Sequence, residues 1–154
     1  MDVWDQFAAE AELFVQWAEG GIRDGHDGAT EALQRIARLY GAGVCLPCPE
    51  SGDIQEEPYR VTRDEWQTVY ARSAKLQLDF YNTCEPILDV EPEYMVGSLS
   101  DDIADIYRDV CTGLRLFRAG HRNEAAWEWE FNFRAHWGTH AADAIRVLHH
   151  HVFG

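Results

Sequence analysis

The apolar residues of this chain recur three and four positions apart almost from end to end, a spacing that restricts it to helical folds. Residues 2–19 set Trp4, Phe7, Ala8, Ala11, Phe14, Val15 and Ala18 on one stripe, which Gly20-Gly21 is expected to stop. After an acidic turn (Asp24-Gly25-His26-Asp27-Gly28), Leu33, Ile36, Ala37 and Tyr40 mark a second helix ending near Gly41 or Gly43. Residues 45–61 carry three prolines, Ser51-Gly52-Asp53 and Glu56-Glu57, and read as a solvated loop. Thr62-Arg63-Asp64-Glu65 is a capping box, with Thr at the N-cap and Glu three residues on. It opens a third helix through Trp66, Val69, Tyr70, Leu76 and Phe80, closed by Glu85-Pro86.

Residues 85–97 read as an irregular connector with apolar pegs at Ile87, Leu88, Val90, Tyr94 and Met95. Ser98 or Ser100 caps a fourth helix, whose dipole suits Asp101 and Asp102, and Gly120 ends it. From Asn123 to His150 the pattern favours one long, slightly bent helix over two broken at Gly138, since a lone glycine costs only ~1 kcal/mol. No strand pair is expected. The expectation is an all-α fold, a single-domain antiparallel bundle of about five helices over residues 1–154.

With 154 residues the chain is one domain long, enough to bury a core without metal or disulfide staples. Its formal charge of −14 argues against nucleic acid and anionic membranes, which are bound through clustered Lys and Arg. No apolar run approaches the ~18 residues of a membrane span, and the acidic start, Met1-Asp2-Val3-Trp4-Asp5, is unlike a basic signal-peptide region. A cytoplasmic protein is expected. Cys45 and Cys48 form a C-x-x-C while Cys84 and Cys111 stand alone. Without an α/β unit or a second cysteine pair, they are expected to be four reduced thiols.

In a purely structural bundle polar residues lie outside the apolar stripes, so the misplaced ones are informative. On the fourth helix Leu99, Ile103, Ile106, Val110, Leu114 and Phe117 form the stripe, and Asp102, Asp105 and Asp109 fall along one edge of it. Such a row repels itself unless cations lie opposite. On the last helix Phe133, Trp137, Ala144 and Leu148 define the core face, and Glu130 falls within it. Arg134, one turn on, makes Glu130–Arg134 a candidate partly buried ion pair.

His136, His140 and Asp143 follow on the opposite flank. His136-Trp137-Gly138-Thr139-His140 has the helical H-x-x-x-H spacing that brings two imidazoles to one metal, without the glutamate base of the zinc-peptidase motif. If the two helices are antiparallel neighbours, Asp102 and Asp105 with His136 and His140 would suit a divalent ion: Zn, Mn, Fe or Ni. The simpler expectation is a hydrogen-bonded network in which these histidines meet Asp102, Asp105 or Asp143 and hold two helices in register.

The segments Gly97-Ser98-Leu99-Ser100-Asp101-Asp102-Ile103-Ala104-Asp105-Ile106-Tyr107-Arg108-Asp109 and Glu124-Ala125-Ala126-Trp127-Glu128-Trp129-Glu130-Phe131, the latter with His136-Trp137-Gly138-Thr139-His140-Ala141-Ala142-Asp143-Ala144, resemble the two signatures of a family of short bacterial proteins. That family is classed as domain of unknown function 5063. The resemblance is specific over residues 97–148 and absent over the Cys45–Glu57 loop. It implies a helical single-domain protein and supplies no activity, cofactor or catalytic residue.

Two functions are expected on these grounds. The first is a non-catalytic binding module of immunity or adaptor type, in which acidic charge meets a basic surface on a protein partner. The alternative is a metal-dependent hydrolase or small-ligand enzyme. It would use Asp102, Asp105, Asp109, His136, His140 and Asp143, with Arg108 or Arg134 orienting an anionic group. A homodimer through Trp17, Tyr59 and Tyr107, expected to be exposed, is compatible with either.

Overall fold

The computed structural model describes residues 1–50, 59–88 and 91–154. Its framework is helical: α1 (Val3–Gln16), α2 (Gly25–Val44), α3 (Arg63–Ser73), α4 (Leu99–Arg118), α5 (Arg122–Asn132) and α6 (Gly138–Phe153). A two-stranded antiparallel sheet, β1 (Phe80–Thr83) and β2 (Met95–Ser98), interrupts it. With α5 and α6 counted as one rod, the bundle has the five helices expected among the described residues.

Local chemistry sets the ends. Asp2 caps α1 by accepting from the Asp5 amide at 2.8 Å. Thr62 and Glu65 form the capping box foreseen for α3, each side chain accepting from the other's amide at 3.2 Å. Ser98 caps α4 by accepting from the Asp101 amide. Asp79 fastens that corner, its Oδ1 accepting from the Ser98 hydroxyl at 2.7 Å and the Ser100 amide at 3.0 Å. Phe7, Phe14, Ile36, Leu39, Trp129 and Trp137, all at most 1% exposed, form the centre of the core. At roughly 25 cal/mol per Å² of apolar surface removed from water, such side chains supply most of the driving force.

α1 runs into a π turn, Trp17–Gly21, and the helical path stops at Gly21 as expected, with Ile22 extended. Several other sequence expectations need correcting. The acidic turn at residue 25 is the first turn of α2. The third helix ends at Ser73, followed by a 3-10 turn (Ala74–Leu76) and Gln77 in the left-handed region at φ 55°. Phe80, read as its last core residue, is 73% exposed on β1. The i, i+4 spacing of Leu76 and Phe80 resembled helix continuation, but a left-handed residue between them sends the chain away from the helix axis.

The sheet itself was not expected. Tyr81 pairs with Gly97, where an added Cβ would come within 2.4 Å of the tyrosine ring, so Tyr81 lies flat across the glycine. The pegs Ile87, Leu88 and Tyr94 point to solvent rather than to the core. Trp17 and Tyr107, proposed as exposed interface aromatics, are each 3% exposed; Tyr59 is half-buried. Trp17 follows the apolar stripe of α1 inward, and the Tyr107 hydroxyl donates to the exposed Glu19 at 2.9 Å at the edge of the bundle. Val90 and the Ser51–Glu57 part of the first loop lie outside the described residues.

The last helical segment runs as one path of right-handed helix whose register changes once. Between α5 and α6 lies a π turn, Phe133–Trp137, in which bonds span five residues instead of four. Gly138 permits it: a Cβ there would sit 2.2 Å from the Phe133 carbonyl oxygen. The one long helix expected there is therefore present, with a wide turn just before Gly138 in place of a break at it.

Candidate functional site: a histidine–carboxylate cluster

α4 packs against both halves of the last rod, and the expected row of aspartates meets the expected pair of histidines across that seam. Asp102, Asp105 and Asp109 are all buried. Each has its own task. The Asp109 carboxylate faces His136 Nδ1 at 2.6 Å, and Asp102 faces His140 Nδ1 at 2.6 Å. Asp105 stands between them: its Oδ2 is 3.2 Å from His140 Nε2 and 3.5 Å from His136 Nε2. The two rings stand edge to face, 4.7 Å apart.

A further set of contacts holds the carboxylates. The Trp66 indole N–H donates to Asp105 Oδ1 at 2.8 Å. The Tyr81 hydroxyl donates to Asp102. Arg108 leans over the edge, 3.3 Å from Asp105 and 3.6 Å from Asp109. Trp66 and Tyr81 were not foreseen as site residues. The capping box at Thr62 placed Trp66 on a helix and left its N–H without a partner, a usable signal. Tyr81 reaches Asp102 only through β1, so the missed strand hid it.

The remaining candidates lie elsewhere. Arg134 clasps the buried Glu130 with two nitrogens, Nε to Oε1 at 2.6 Å and Nη2 to Oε2 at 3.1 Å, the pair foreseen from spacing. Neither residue touches the histidines. Asp143 turns toward the hairpin, where its charge acts on Tyr81 and Asp102 without a hydrogen bond to either ring. The four cysteines are free, with Cys45, Cys48 and Cys84 exposed and Cys111 buried.

Electrostatics at the cluster is strongly coupled. Hydrogen bonds to Asp105 and Asp109 outweigh the burial of His136 and raise its pKa from 6.5 to about 9. Burial disfavours charge on His140, but Asp102 and Asp105 outweigh it and the net shift is also upward. Burial likewise disfavours charge on Asp105, yet the His136 and Trp66 N–H groups and Arg108 keep that carboxyl below its ordinary range. Asp102 is pushed up by burial, against the pull of His140 and Tyr81. Burial and the neighbouring Asp102 keep the Tyr81 phenol neutral.

Asp105, His136 and His140 each offer one ligand atom within 4.8 Å of the others. Ligands about 2.0–2.2 Å from a common ion stand roughly 3.0–3.5 Å apart, which brackets the 3.2 and 3.5 Å separations from Asp105. When Nδ1 donates to a carboxylate, the lone pair of the neutral imidazole is left on Nε2. Both rings have that arrangement, the second contact by which metal-bound histidines are commonly held. The histidines are a quarter to a third exposed, so one side of the cluster meets solvent.

An all-helical bundle with a histidine–carboxylate cluster across one helix seam is the class that fold and site define. The chain belongs to the family described as Domain of unknown function (DUF5063), whose family model matches residues 1–154, the whole chain and not only the two segments that carried the resemblance. The fold is similar to the crystal structure of protein BF1032 from Bacteroides fragilis, with a TM-score of 0.81, 23% identity, and coverage of 100% of this chain and 97% of that one. No protein of curated function matches the chain.

Proposed function

We propose that the protein is a divalent-metal-dependent enzyme whose ion is held by Asp105, His136 and His140. The observation that carries this reading is the convergence of both Nε2 atoms on one carboxylate oxygen, with each Nδ1 held by its own aspartate. A structural network needs only one contact per histidine. Here every ring nitrogen is directed, and the Asp105 carboxylate is itself held by Trp66. Three protein ligands leave coordination positions for water or a ligand, the arrangement of catalytic rather than structural sites. Two imidazoles and a carboxylate suit Zn, Mn, Fe or Ni. An ion held there by Asp105, His136 and His140 would supply a water acidified toward neutral pH, the chemistry of hydrolysis.

Without metal, Asp105 faces both Nε2 atoms and, with Asp109 and Asp102, favours the protonated form of each ring. A divalent ion would supply the positive charge that these buried aspartates otherwise draw from the imidazoles.

The test is a thermal melt of EDTA-stripped protein titrated with Mg, Ca, Mn, Ni and Zn. An ion at 100 times its dissociation constant adds about 2.7 kcal/mol, or roughly 5–10 °C for a domain of this size. Selective stabilisation by one transition metal, abolished in His140→Ala and Asp105→Ala, is the expected result. No shift with any ion leaves these residues as fasteners between two helices.

A second reading, the acidic protein-binding module, is supported by another surface. Phe80, Ile87, Leu88, Tyr94 and Val96 are all more than 70% exposed around the hairpin, beside the exposed Glu85, Glu91 and Glu93. Apolar surface rimmed with acid suits a basic, amphipathic partner segment. Affinity capture from the native cell that returns no stoichiometric partner would remove this reading and leave the first untouched.

A further inference from the structure

A hollow of about 410 Å³ opens beside the cluster, lined by Val61, Thr62, Arg63, Trp66 and Arg108. Two of these residues belong to both places: Trp66 donates to Asp105, and Arg108 lies against Asp105 and Asp109. The hollow is therefore the cluster's neighbour through shared side chains. Its charge is unusual for this chain, which carries 27 acidic residues against 13 basic ones. Both ionic side chains lining it are arginines.

Arg63 is exposed and has no carboxylate partner among the described residues. Arg108 spends only two long contacts on the aspartates. A guanidinium offers five N–H donors in a planar fork, so both residues retain donors for a ligand. Resting on the metal reading above, we propose that this hollow is the substrate subsite and that it takes a phosphoryl group. One oxygen of the group meets the ion, and the others meet Arg63 and Arg108. A carboxylate offers its two oxygens in one plane, so three electropositive groups set around the hollow have to share them. A tetrahedral phosphoryl group satisfies all three. Trp66 forms an apolar wall of the hollow, against which the organic part of a phosphoester can lie.

The experiment uses the full chain loaded with Mn²⁺ and inorganic phosphate as the probe. Metal retention is read first, by thermal shift, and phosphate binding second, by paramagnetic broadening of the ³¹P line. Wild-type protein should broaden the line saturably. Arg63→Ala should keep the metal-dependent stabilisation while weakening phosphate binding about tenfold, and Arg63→Lys should recover part of that loss. Metal retention without phosphate broadening in the wild type overturns the subsite and leaves the metal reading standing. So does an Arg63→Ala protein that binds phosphate as the wild type does. Failure to retain Mn²⁺, Ni²⁺ or Zn²⁺ alike overturns the metal reading, and the inference falls with it.

Discussion

Raising the pH of metal-stripped protein from 6 to 9.5 is expected to remove stability contributed by His136. The imidazole is lifted from 6.5 to about 9 by Asp105 and Asp109, so the folded state holds its proton more tightly than the unfolded chain does. That contribution is fully present below pH 6.5 and is lost as the pH rises through 9. A shift of this size has a ceiling of about 3.4 kcal/mol at 1.36 kcal/mol per unit. The ring is 34% exposed, and solvent screening reduces the figure to about 1–2 kcal/mol. At roughly 2–4 °C per kcal/mol, the midpoint should fall by about 2–8 °C. Self-repulsion in so acidic a chain also grows with pH, so the informative quantity is the wild-type midpoint minus that of His136→Gln, followed by circular dichroism. That difference should shrink between pH 6.5 and 9. If it stays flat or widens, the imidazolium is not held by these aspartates. With the preferred transition metal present the trend should reverse, because ligation needs the unprotonated Nε2 and strengthens with pH.

Trp66→Phe removes the N–H that holds Asp105 and should weaken metal binding by about tenfold while leaving the melt of the stripped protein within ~1 kcal/mol of wild type; metal titration separates the two. Tyr81→Phe takes the hydroxyl from Asp102 and leaves a buried acceptor with one partner fewer, which should cost about 1–2 kcal/mol in urea unfolding. Gly138→Ala places a Cβ against the Phe133 carbonyl, so it should destabilise the fold by about 1–3 kcal/mol and reduce metal affinity; an unchanged melt would mean that the π turn is not enforced by this residue. Thr62→Ala removes the cap of α3 and should cost about 1 kcal/mol in denaturant unfolding, without affecting the metal.

Helix-borne features were legible in the sequence because a helix converts spacing directly into a face. The aspartate row needed only the 100° step from residue to residue, and the Glu130–Arg134 pair only an i, i+4 separation. The meeting of the two helices was a conditional expectation that their packing fulfils. What the pattern hid was decided across the chain. Phe80-Tyr81-Asn82-Thr83 forms a strand only because Met95–Ser98 lies beside it, a pairing that no local period announces. With that strand came Tyr81 and the anchoring of Asp102. Asp143 was placed on the histidine flank by spacing alone, but it stands about 60° round α6 from His140, and that offset turns it toward the hairpin.

That turn has a consequence for the tolerance of the chain to changes in length. A helix behaves like a screw, and one extra residue in a single turn offsets every later position by about 100° without moving the axis. Upstream of the offset, the rod buries Trp129 and Glu130; downstream, it buries Ala141, Ala144 and Leu148. Deleting one residue between Phe133 and Trp137 would restore an ideal helix and swing His140 and the downstream core out of phase together. Histidine–carboxylate cluster and hydrophobic seam are thus keyed to the same residue count. This single turn fixes the rotational phase of the whole C-terminal helix.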